Sequence, residues 1–541
     1  MKILGISGSI NNDCHDTSAC LIIDGKIVGN YEEERFNRIK HTEYFPILSI
    51  KRLLNENHLS LDDIDSICCN VPSQQYKDIL NIIDENYNKI PQFVQCTHHE
   101  AHICDVFFQS GFNSAAVVII DGLDGTNLQS ITISHVKDGK IKILKQYDLT
   151  KSLGLLYEQT AAFCMEGSFC EGKLMGLSSF GKDTGQRLLK FNNETKEIDC
   201  FYNPPNFEDI KKFDNSIEII GNCFENYFED NFYPNETRDD QSILYYTNIA
   251  RTIQENFNEV YLDIIKYAKE LTGEDNLCVT GGCIQNCIGN NLVVESGIFK
   301  NVFAPPAPHD AGVGAGHALY AAYFLNDKIE NERLTNSYVG KTYSDDEIKK
   351  SFTENVVVEE YSEDRVIDIL KSNKIIAWFQ GGSEIGPRAL GHRSILANPS
   401  ERNNLNVIND EIKHRENWRP LAPTVPEELF DMVFNVKSHD LTEFMLRTIP
   451  IKKEWQKKLI AVCHIDETTR PQRLIRKENP ELYDLIMKFY EKMGIPCLIN
   501  TSFNGKGQPI IETPKQAIEF LHNNKMLDYV VFNAKYIVSR K

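Results

Sequence analysis

His98 and His102 lie four residues apart in the run HHEAH. On a helix that spacing puts both imidazoles on one face, with about 5–6 Å between Cβ atoms. Two imidazoles so placed can hold one divalent metal. The order is not that of a zinc protease, in which glutamate directly follows the first histidine of the pair. Here His99 takes that place and Glu100 is directed elsewhere. Alone, the pair also reads as a polar helix face. Two carboxylates change the balance: Asp121 ends the apolar run AAVVIID, where a buried carboxylate needs a partner, and Asp310 stands in PPAPHDAGVG just ahead of a helix. Two histidines and two aspartates make a mixed donor set suited to iron, manganese or zinc. A metal held with open positions can clamp phosphate oxygens and polarise a carbonyl.

A second centre lies in the last third of the chain. GGSEIGPRALGHRSILANP, residues 381–399, offers Arg388, His392 and Arg393 among glycines and a proline. NDEIKHRENWRPLAP adds Lys413, Arg415 and Arg419, DETTRPQ adds Arg470, and INTSFNGKGQP adds Asn500, Ser502 and Asn504. The guanidinium fork suits phosphate or carboxylate. The alternative is a set of surface ion pairs, but rigid Gly/Pro loops are the usual carriers of binding groups. An anion site is therefore expected.

Elements must hold these groups in place. KILGISGS and DTSACLIIDGKIVGNYEEER read as strands, with Asp24-Gly25 as a two-residue hairpin turn. AAVVIIDG reads as a strand running into Gly122 and Gly125, and NLCVTGG as a strand after a helical pattern from about Tyr245 to Thr272. HDAGVGAGHALYAAYF reads as a glycine-rich loop opening a helix. This alternation predicts an α/β fold with largely buried sheets. Three glycine-bearing turns, CHDTSA, DGLDG at 121–125 and TGGCIQN at 280–286, suit phosphates through their backbone N–H groups. Their order resembles that of an actin-like ATPase core. The polar stretch Asn326–Asp346 marks a domain boundary, beyond which RVIDILKSN, KIIAWFQGG and DYVVFNAKYIVS renew the helix and strand signals. Residues 182–240, rich in Asn, Asp and Phe, are expected to form an irregular insertion, either shaping substrate access or making a plain surface excursion.

Composition narrows the partners. The chain of 541 residues carries a formal net charge of -19, which disfavours nucleic acid and anionic membrane surfaces. MKILGISGSI does not read as a signal peptide, and no apolar run approaches the roughly 20 residues of a membrane span. Fifteen cysteines without such a signal point to reduced thiols and a cytoplasmic location. Cys278, Cys283 and Cys287 match no usual zinc spacing and read as small packed side chains.

Taken together, the blocks CHDTSACLI, EEERFNRIKH, HHEAH, VVIIDGLDG, EGKLMGLSSFG, VTGGCIQNC, APPAPHDAGVGAG, GSEIGPRALGHRSI, KHRENWRPLAP, TTRPQ and INTSFN resemble the ATP-dependent carbamoyltransferases, which include the nodulation-factor, cephem and tobramycin enzymes. The resemblance covers nearly the whole chain. It implies an actin-like (ASKHA, duplicated RNase H-like) domain over residues 1–345 and a YrdC-like α/β domain over 346–541. It further implies that carbamoyl phosphate and ATP, with magnesium, yield carbamoyl adenylate in the second domain. The carbamoyl group then passes in the first domain to a hydroxyl of a small-molecule acceptor, a natural product or sugar. By this match His98, His102, Asp121 and Asp310 are metal ligands, iron first, with manganese or zinc as alternatives. His15 is the acid/base or oxyanion residue, and Lys173, Gly281, Gly282 and Asn286 are nucleotide-side groups. Lys413, Arg419, Arg470, Ser502 and Asn504 belong to the carbamoyl-phosphate and ATP site, with Arg388, Arg393 and Asn500 among its binding groups. A homodimer is compatible. Rival readings are a tRNA threonylcarbamoyl-type enzyme, which the acidity opposes, a non-catalytic actin-like regulator, and a sugar kinase.

Overall fold

The computed structural model describes residues 1–11, 14–124, 127–165, 167–213, 215–232 and 243–541. Two compact units emerge: residues 1–96 with 305–541, and residues 97–304. The chain thus leaves the first unit after Cys96 and re-enters it at Pro305.

The first pass builds a five-stranded sheet from β1 (Lys2–Ser7), β2 (Ser18–Ile23), β3 (Lys26–Glu32), β4 (Ser66–Cys69) and β5 (Gln92–Gln95), in the order β3-β2-β1-β4-β5. The first three strands are an antiparallel meander, and β4 and β5 run parallel to β1. Asp24 (φ 50°) and Gly25 (φ 86°) turn the first hairpin with positive φ at both positions, as its right-handed twist requires. A short helix, α1 (Glu34–Asn37), follows β3.

The second unit opens with α2 (His98–Phe108). Its sheet contains β6 (Ser114–Ile120), β7 (Gln129–Lys137) and β8 (Lys140–Asp148). Helix α3 (Glu171–Ser178) and the hairpin β9 (Leu189–Asn192) and β10 (Glu197–Cys200) come next, followed by the long α4 (Ile243–Thr272). Strand β11 (Asn276–Thr280), helix α5 (Cys287–Ser296) and strand β12 (Asn301–Phe303) complete it. The order is β12-β11-β6-β7-β8, with β6–β8 antiparallel and β11 and β12 parallel to β6. Order and polarity repeat those of the first sheet strand for strand. That duplicated ribonuclease-H-like pattern is the actin-like fold expected from the sequence. The stretch 182–240 is more regular than expected, because it contains the β9/β10 hairpin and a helix over Ser216–Phe232. Residues 214 and 233–240 of it, and Gly125 of the DGLDG turn, lie outside the described residues.

On re-entry the chain forms α6 (Val313–Phe324). Its glycines are helical rather than part of a loop. A Cβ on Gly5 would meet the Gly314 carbonyl oxygen at 2.2 Å, and one on Gly314 would meet Ser18 Oγ at 2.7 Å. The small residues therefore serve close packing of α6 on β1 and β2. The remainder is an eight-stranded mixed sheet of β13 (Val356–Glu360), β14 (Ile376–Phe379), β15 (Arg393–Ala397), β16 (Ala422–Pro426), β19 (Gln472–Leu474), β20 (Leu498–Ser502), β21 (Tyr529–Phe532) and β22 (Tyr536–Arg540). The order is β13-β22-β21-β14-β15-β20-β16-β19. A small ribbon, β17 (Ile449–Pro450) with β18 (Thr468–Thr469), precedes β19. Helices α7 (Pro480–Met493) and α8 (Pro514–Asn523) bury Leu482, Leu485, Ile486, Ala517 and Leu521 in the core beneath this sheet. Among the described residues, no helix is long and apolar enough to cross a membrane.

Candidate active site

In the second unit, helix α2 starts at a capping box. Thr97 Oγ1 accepts from the Glu100 N–H (3.2 Å), and the Glu100 carboxylate accepts from the Thr97 N–H (2.8 Å). Glu100 is thereby spent on the cap, and the first turn presents His98 and His102 on one face. Their Nε2 atoms stand 3.2 Å apart, and each lies 3.2 Å from Asp121 Oδ2 at the end of β6. Metal–ligand bonds of about 2.0–2.1 Å separate donor atoms by about 3.0 Å at octahedral angles and about 3.3 Å at tetrahedral ones. The three donors therefore have the spacing of a shared divalent cation, and without one an imidazole N–H must stand between nitrogen and carboxylate. His102 is held by its other nitrogen, since Nδ1 lies 3.1 Å from Thr280 Oγ1 at the end of β11. Such an outer partner fixes ring orientation and directs Nε2 toward Asp121. Asp121 Oδ1 accepts from the N–H groups of Gly122 (2.8 Å) and Gly282 (3.1 Å). Burial pushes the Asp121 proton affinity up, but hydrogen bonds from His102 and His98 overcome it and hold the carboxyl well below its ordinary range. His99 faces away, with Nδ1 2.7 Å from Thr132 Oγ1, and burial pushes it down to about 3. It is a neutral core histidine. No cysteine joins a convergent metal-ligand group among the described residues.

Gly281 and Gly282 sit directly behind Asp121. Gly281 has φ 100°, and a Cβ there would lie 2.3 Å from the Ile120 carbonyl oxygen. Gly281→Ala is expected to lower unfolding free energy by about 2–4 kcal/mol through backbone strain and overlap. Urea titration checks this, and a loss below about 1 kcal/mol would contradict the packing described.

In the other unit, Lys413 closes a π-helical turn over Val407–Ile412 and is buried. Its Nζ shares three N–H groups among four oxygens: the Ser502 carbonyl, Ser502 Oγ (3.2 Å), the Asn504 carbonyl (2.9 Å) and Asn504 Oδ1. Burial, then the charges of Arg415, Lys40 and Arg419, push the lysine well below its ordinary value. Its ring of four oxygens pulls the other way by holding the ammonium protons. Burial, Arg419 and Arg470 likewise push Arg415 down to about 9. Arg470 follows β18 and has a buried Nε with no partner. An open cleft beside these groups is lined by Asp410, His414, Arg415, Glu416 and Lys506. Cations that depress one another in this way bind an anion with gain, because it reverses the unfavourable field.

Two family models match this sequence. One described as carbamoyltransferase N-terminus covers residues 71–319, and one described as carbamoyltransferase C-terminus covers residues 367–540. The chain is 30% identical to the nodulation protein NolO of Bradyrhizobium diazoefficiens, across 78% of this chain and 75% of the relative. The chain belongs to the carbamoyltransferase family. It is also 29% identical to the nodulation protein NolNO of Sinorhizobium fredii, across 96% of this chain and 80% of that protein. Among solved structures, the activator of 2-hydroxyisocaproyl-CoA dehydratase from Clostridium difficile aligns with a TM-score of 0.34 at 13% identity, over 59% of this chain and 94% of that one.

The remaining expected residues of this carbamoyltransferase divide into two groups. Ser502 and Asn504 stand with Lys413, and the Ser502 hydroxyl donates to Asn504 Oδ1 (2.7 Å). Arg419 joins them through its charge on Lys413 and Arg415, and Arg388 acts electrostatically on Lys40. Lys173 lies half-buried in the first turn of α3. His15 precedes β2, with its ring against Asp16, and Asp310 opens the turn ahead of α6. Three others are occupied by the scaffold. Asn286 caps α5 through the Gly289 N–H (3.0 Å) and pairs with Gln254. Asn500 donates to the Ala389 carbonyl and to Gln472. Arg393 is wholly buried over the Phe379 ring, and its guanidinium donates to the carbonyls of Gln380, Gly381, His392 and Glu512. Arg393 thus shapes the loop, because both terminal nitrogens of its buried guanidinium donate to main-chain oxygens.

Glu384 was not singled out in the sequence. Its buried Oε1 accepts from the N–H groups of Leu390 (2.7 Å), His392 (2.7 Å) and Arg393 (3.1 Å), so the 381–393 loop winds around one carboxylate. His392 stacks on Tyr338 (3.5 Å between centroids) and donates from Nδ1 to the Gly382 carbonyl (2.7 Å). Glu384→Ala is expected to cost about 3–5 kcal/mol, since three buried donors lose a charged acceptor. Chemical denaturation monitored at tryptophan checks it, and a near-neutral variant would refute the role.

Proposed function

We propose that this carbamoyltransferase is ATP-dependent and transfers to oxygen. In the part after residue 345, which we read as a YrdC-like domain, carbamoyl phosphate takes up water to give carbamate and phosphate. A carbamate oxygen then attacks the α-phosphorus of magnesium-bound ATP, and pyrophosphate leaves. The product, carbamoyl adenylate, carries the carbamoyl group on a good leaving group. In the actin-like part over residues 1–345, an acceptor hydroxyl attacks the carbamoyl carbon and AMP departs.

The observation that carries this reading is the cationic cluster of Lys413, Arg415, Arg419 and Arg470, in which burial and the neighbouring charges depress the proton affinities of Lys413 and Arg415. Such a cluster favours phosphoanhydride and carbamoyl-phosphate oxygens over a neutral ligand. His98, His102 and Asp121, with Asp310 as the fourth donor, would hold a divalent metal, iron first. Bound there, the metal would supply Lewis-acid polarisation of phosphate and carbonyl oxygens. Lys173, Gly281 and Gly282 lie on the nucleotide side of this reading. His15 is the group proposed to take the acceptor proton. The acceptor class is a hydroxylated small molecule. The net charge of -19 opposes tRNA as substrate. Fifteen free thiols suit a cytoplasmic enzyme.

The test is incorporation of labelled pyrophosphate into ATP. Exchange that requires carbamoyl phosphate is expected, with AMP as the nucleotide product of full turnover. ADP formation without exchange would overturn the reading in favour of a kinase.

A further inference from the structure

Asp16 and His41 stand out among groups that the proposed chemistry does not use. Asp16 is buried with φ 53°, and His41 has φ 54°; neither is a residue for which positive φ is free of strain. The Asp16 carboxylate bridges two imidazoles: Oδ2 lies 3.1 Å from His15 Nδ1, and Oδ1 lies 2.9 Å from His41 Nδ1. The surroundings fix this arrangement. The His41 N–H donates to Glu34 Oε2 (2.9 Å) on α1, and Thr17 Oγ1 donates to the Tyr44 carbonyl (2.7 Å). Thr42 accepts at Oγ1 from Asn37 Nδ2 (2.9 Å). Two strained turns from separate segments are thus pinned so that one carboxylate meets both rings. Each ring remains partly exposed, 49% for His15 and 26% for His41.

The chemistry follows from the nitrogens. A carboxylate accepts only, so each Nδ1 must carry the proton it shares with Asp16. That selects the tautomer whose lone pair is on Nε2 for both rings. Burial would raise the Asp16 proton affinity, but hydrogen bonds from His15 and His41, with the charge of His309, hold it well below the ordinary range. The carboxylate is therefore present throughout neutral pH and can compensate one imidazolium.

We infer that Asp16 is a positioning residue that holds His15 and His41 as one carboxylate-bridged base pair, which receives the proton of the acceptor hydroxyl at the Nε2 of His15. This rests on the carbamoyl-transfer reading above. In the step, the acceptor O–H proton goes to Nε2. The oxygen forms its bond to the carbamoyl carbon, and the bond from that carbon to the adenylate oxygen breaks, its electron pair leaving on AMP. His41 shares the counter-charge. Glu34, Lys40 and His309 also face Asp16 and belong to the same field.

The test uses Asp16→Asn and His41→Asn in the full chain. In Asp16→Asn the amide keeps one acceptor oxygen and offers N–H to the other ring, for which it favours the opposite tautomer. Transfer is expected to fall about 10²–10⁴-fold. Pyrophosphate exchange should stay within about twofold, and the acid limb of the transfer pH profile should move to lower pH once the negative charge is gone. His41→Asn keeps a donor near the Nδ1 position and should retain more transfer than His41→Ala. Nitrogen-15 imidazole spectra should give the Nδ1–H tautomer for His15 and His41 in the wild type, and a change in Asp16→Asn. Unchanged transfer in Asp16→Asn overturns the inference. So does equal loss of exchange and transfer with a lowered unfolding midpoint, which would make Asp16 structural. Loss of one bound metal ion in Asp16→Asn also overturns it, since Asp16, Glu34 and His41 would then be ligands. If the wild type shows no carbamoyl-phosphate-dependent exchange, the assigned reaction fails, yet the imidazole spectra still decide the bridged pair.

Discussion

Lys413→Met is expected to reduce carbamoyl-phosphate-dependent pyrophosphate exchange by about 10³-fold or more, measured on the folded fraction. The substitution preserves length and removes the charge from the centre of the cationic cluster. One preorganised donor in a water-poor site contributes about 10²–10³ in rate. Lys413 also organises the site, because its ammonium gathers Ser502 and Asn504 through their carbonyls and side chains. Without it those oxygens turn an electronegative face toward an anionic substrate, which adds to the loss. Some stability is lost as well, about 1–3 kcal/mol, since buried acceptors go unpaired, although the Ser502–Asn504 hydrogen bond survives. A discriminating control is transfer from carbamoyl adenylate supplied ready-made, which should persist within severalfold. Exchange near the wild-type rate would remove the cluster from the activation step.

Much of this arrangement is legible in the residues, for reasons that differ by element. The strand and hairpin signals of the first sheet are local, and Asp24-Gly25 alone fixes the first turn. The i, i+4 histidines and the strand-end aspartate were visible because helix periodicity and burial each act over a few residues. Less legible was anything decided by the partner across space. The sequence counts Arg393 as a cation for ligands; only the loop's closure over Gln380, Gly381 and Glu512 shows that main-chain oxygens take both terminal nitrogens. Asn286 reads as a nucleotide group until Gly289 and Gln254 occupy it. Glu384 and Asp16 carry the converse lesson. Each lies inside a quoted motif, yet its meaning depends on what its oxygens meet: three N–H groups for one, two imidazoles for the other. The run HDAGVGAG likewise resembles a binding loop by composition, yet its Gly314 and Gly316 are helical and Gly314 packs on Ser18 of β2.

Asp121→Asn should abolish stoichiometric metal binding and lower carbamoyl transfer by about 10³-fold or more, with pyrophosphate exchange unaltered. The carboxylate is the anionic member of the triad and stands 3.2 Å from both imidazoles. Asparagine can keep the bonds from Gly122 and Gly282 through its carbonyl oxygen, so the β6 terminus need not move. Its amide would then point N–H toward the two Nε2 lone pairs, satisfying them with hydrogen bonds where a cation belongs. The variant should therefore fold well and bind metal poorly, a combination that separates ligand loss from collapse. Two companions sharpen the attribution. Thr280→Val removes only the oxygen at His102 Nδ1 and should weaken metal affinity about 10–100-fold. His99→Gln, on the far side of α2 against Thr132, should cost stability but leave metal stoichiometry intact. Metal analysis after dialysis, read beside exchange and transfer rates, yields all three results. Full occupancy in Asp121→Asn would mean that the metal does not need the Asp121 carboxylate, and the assignment of the metal to this triad would have to be abandoned.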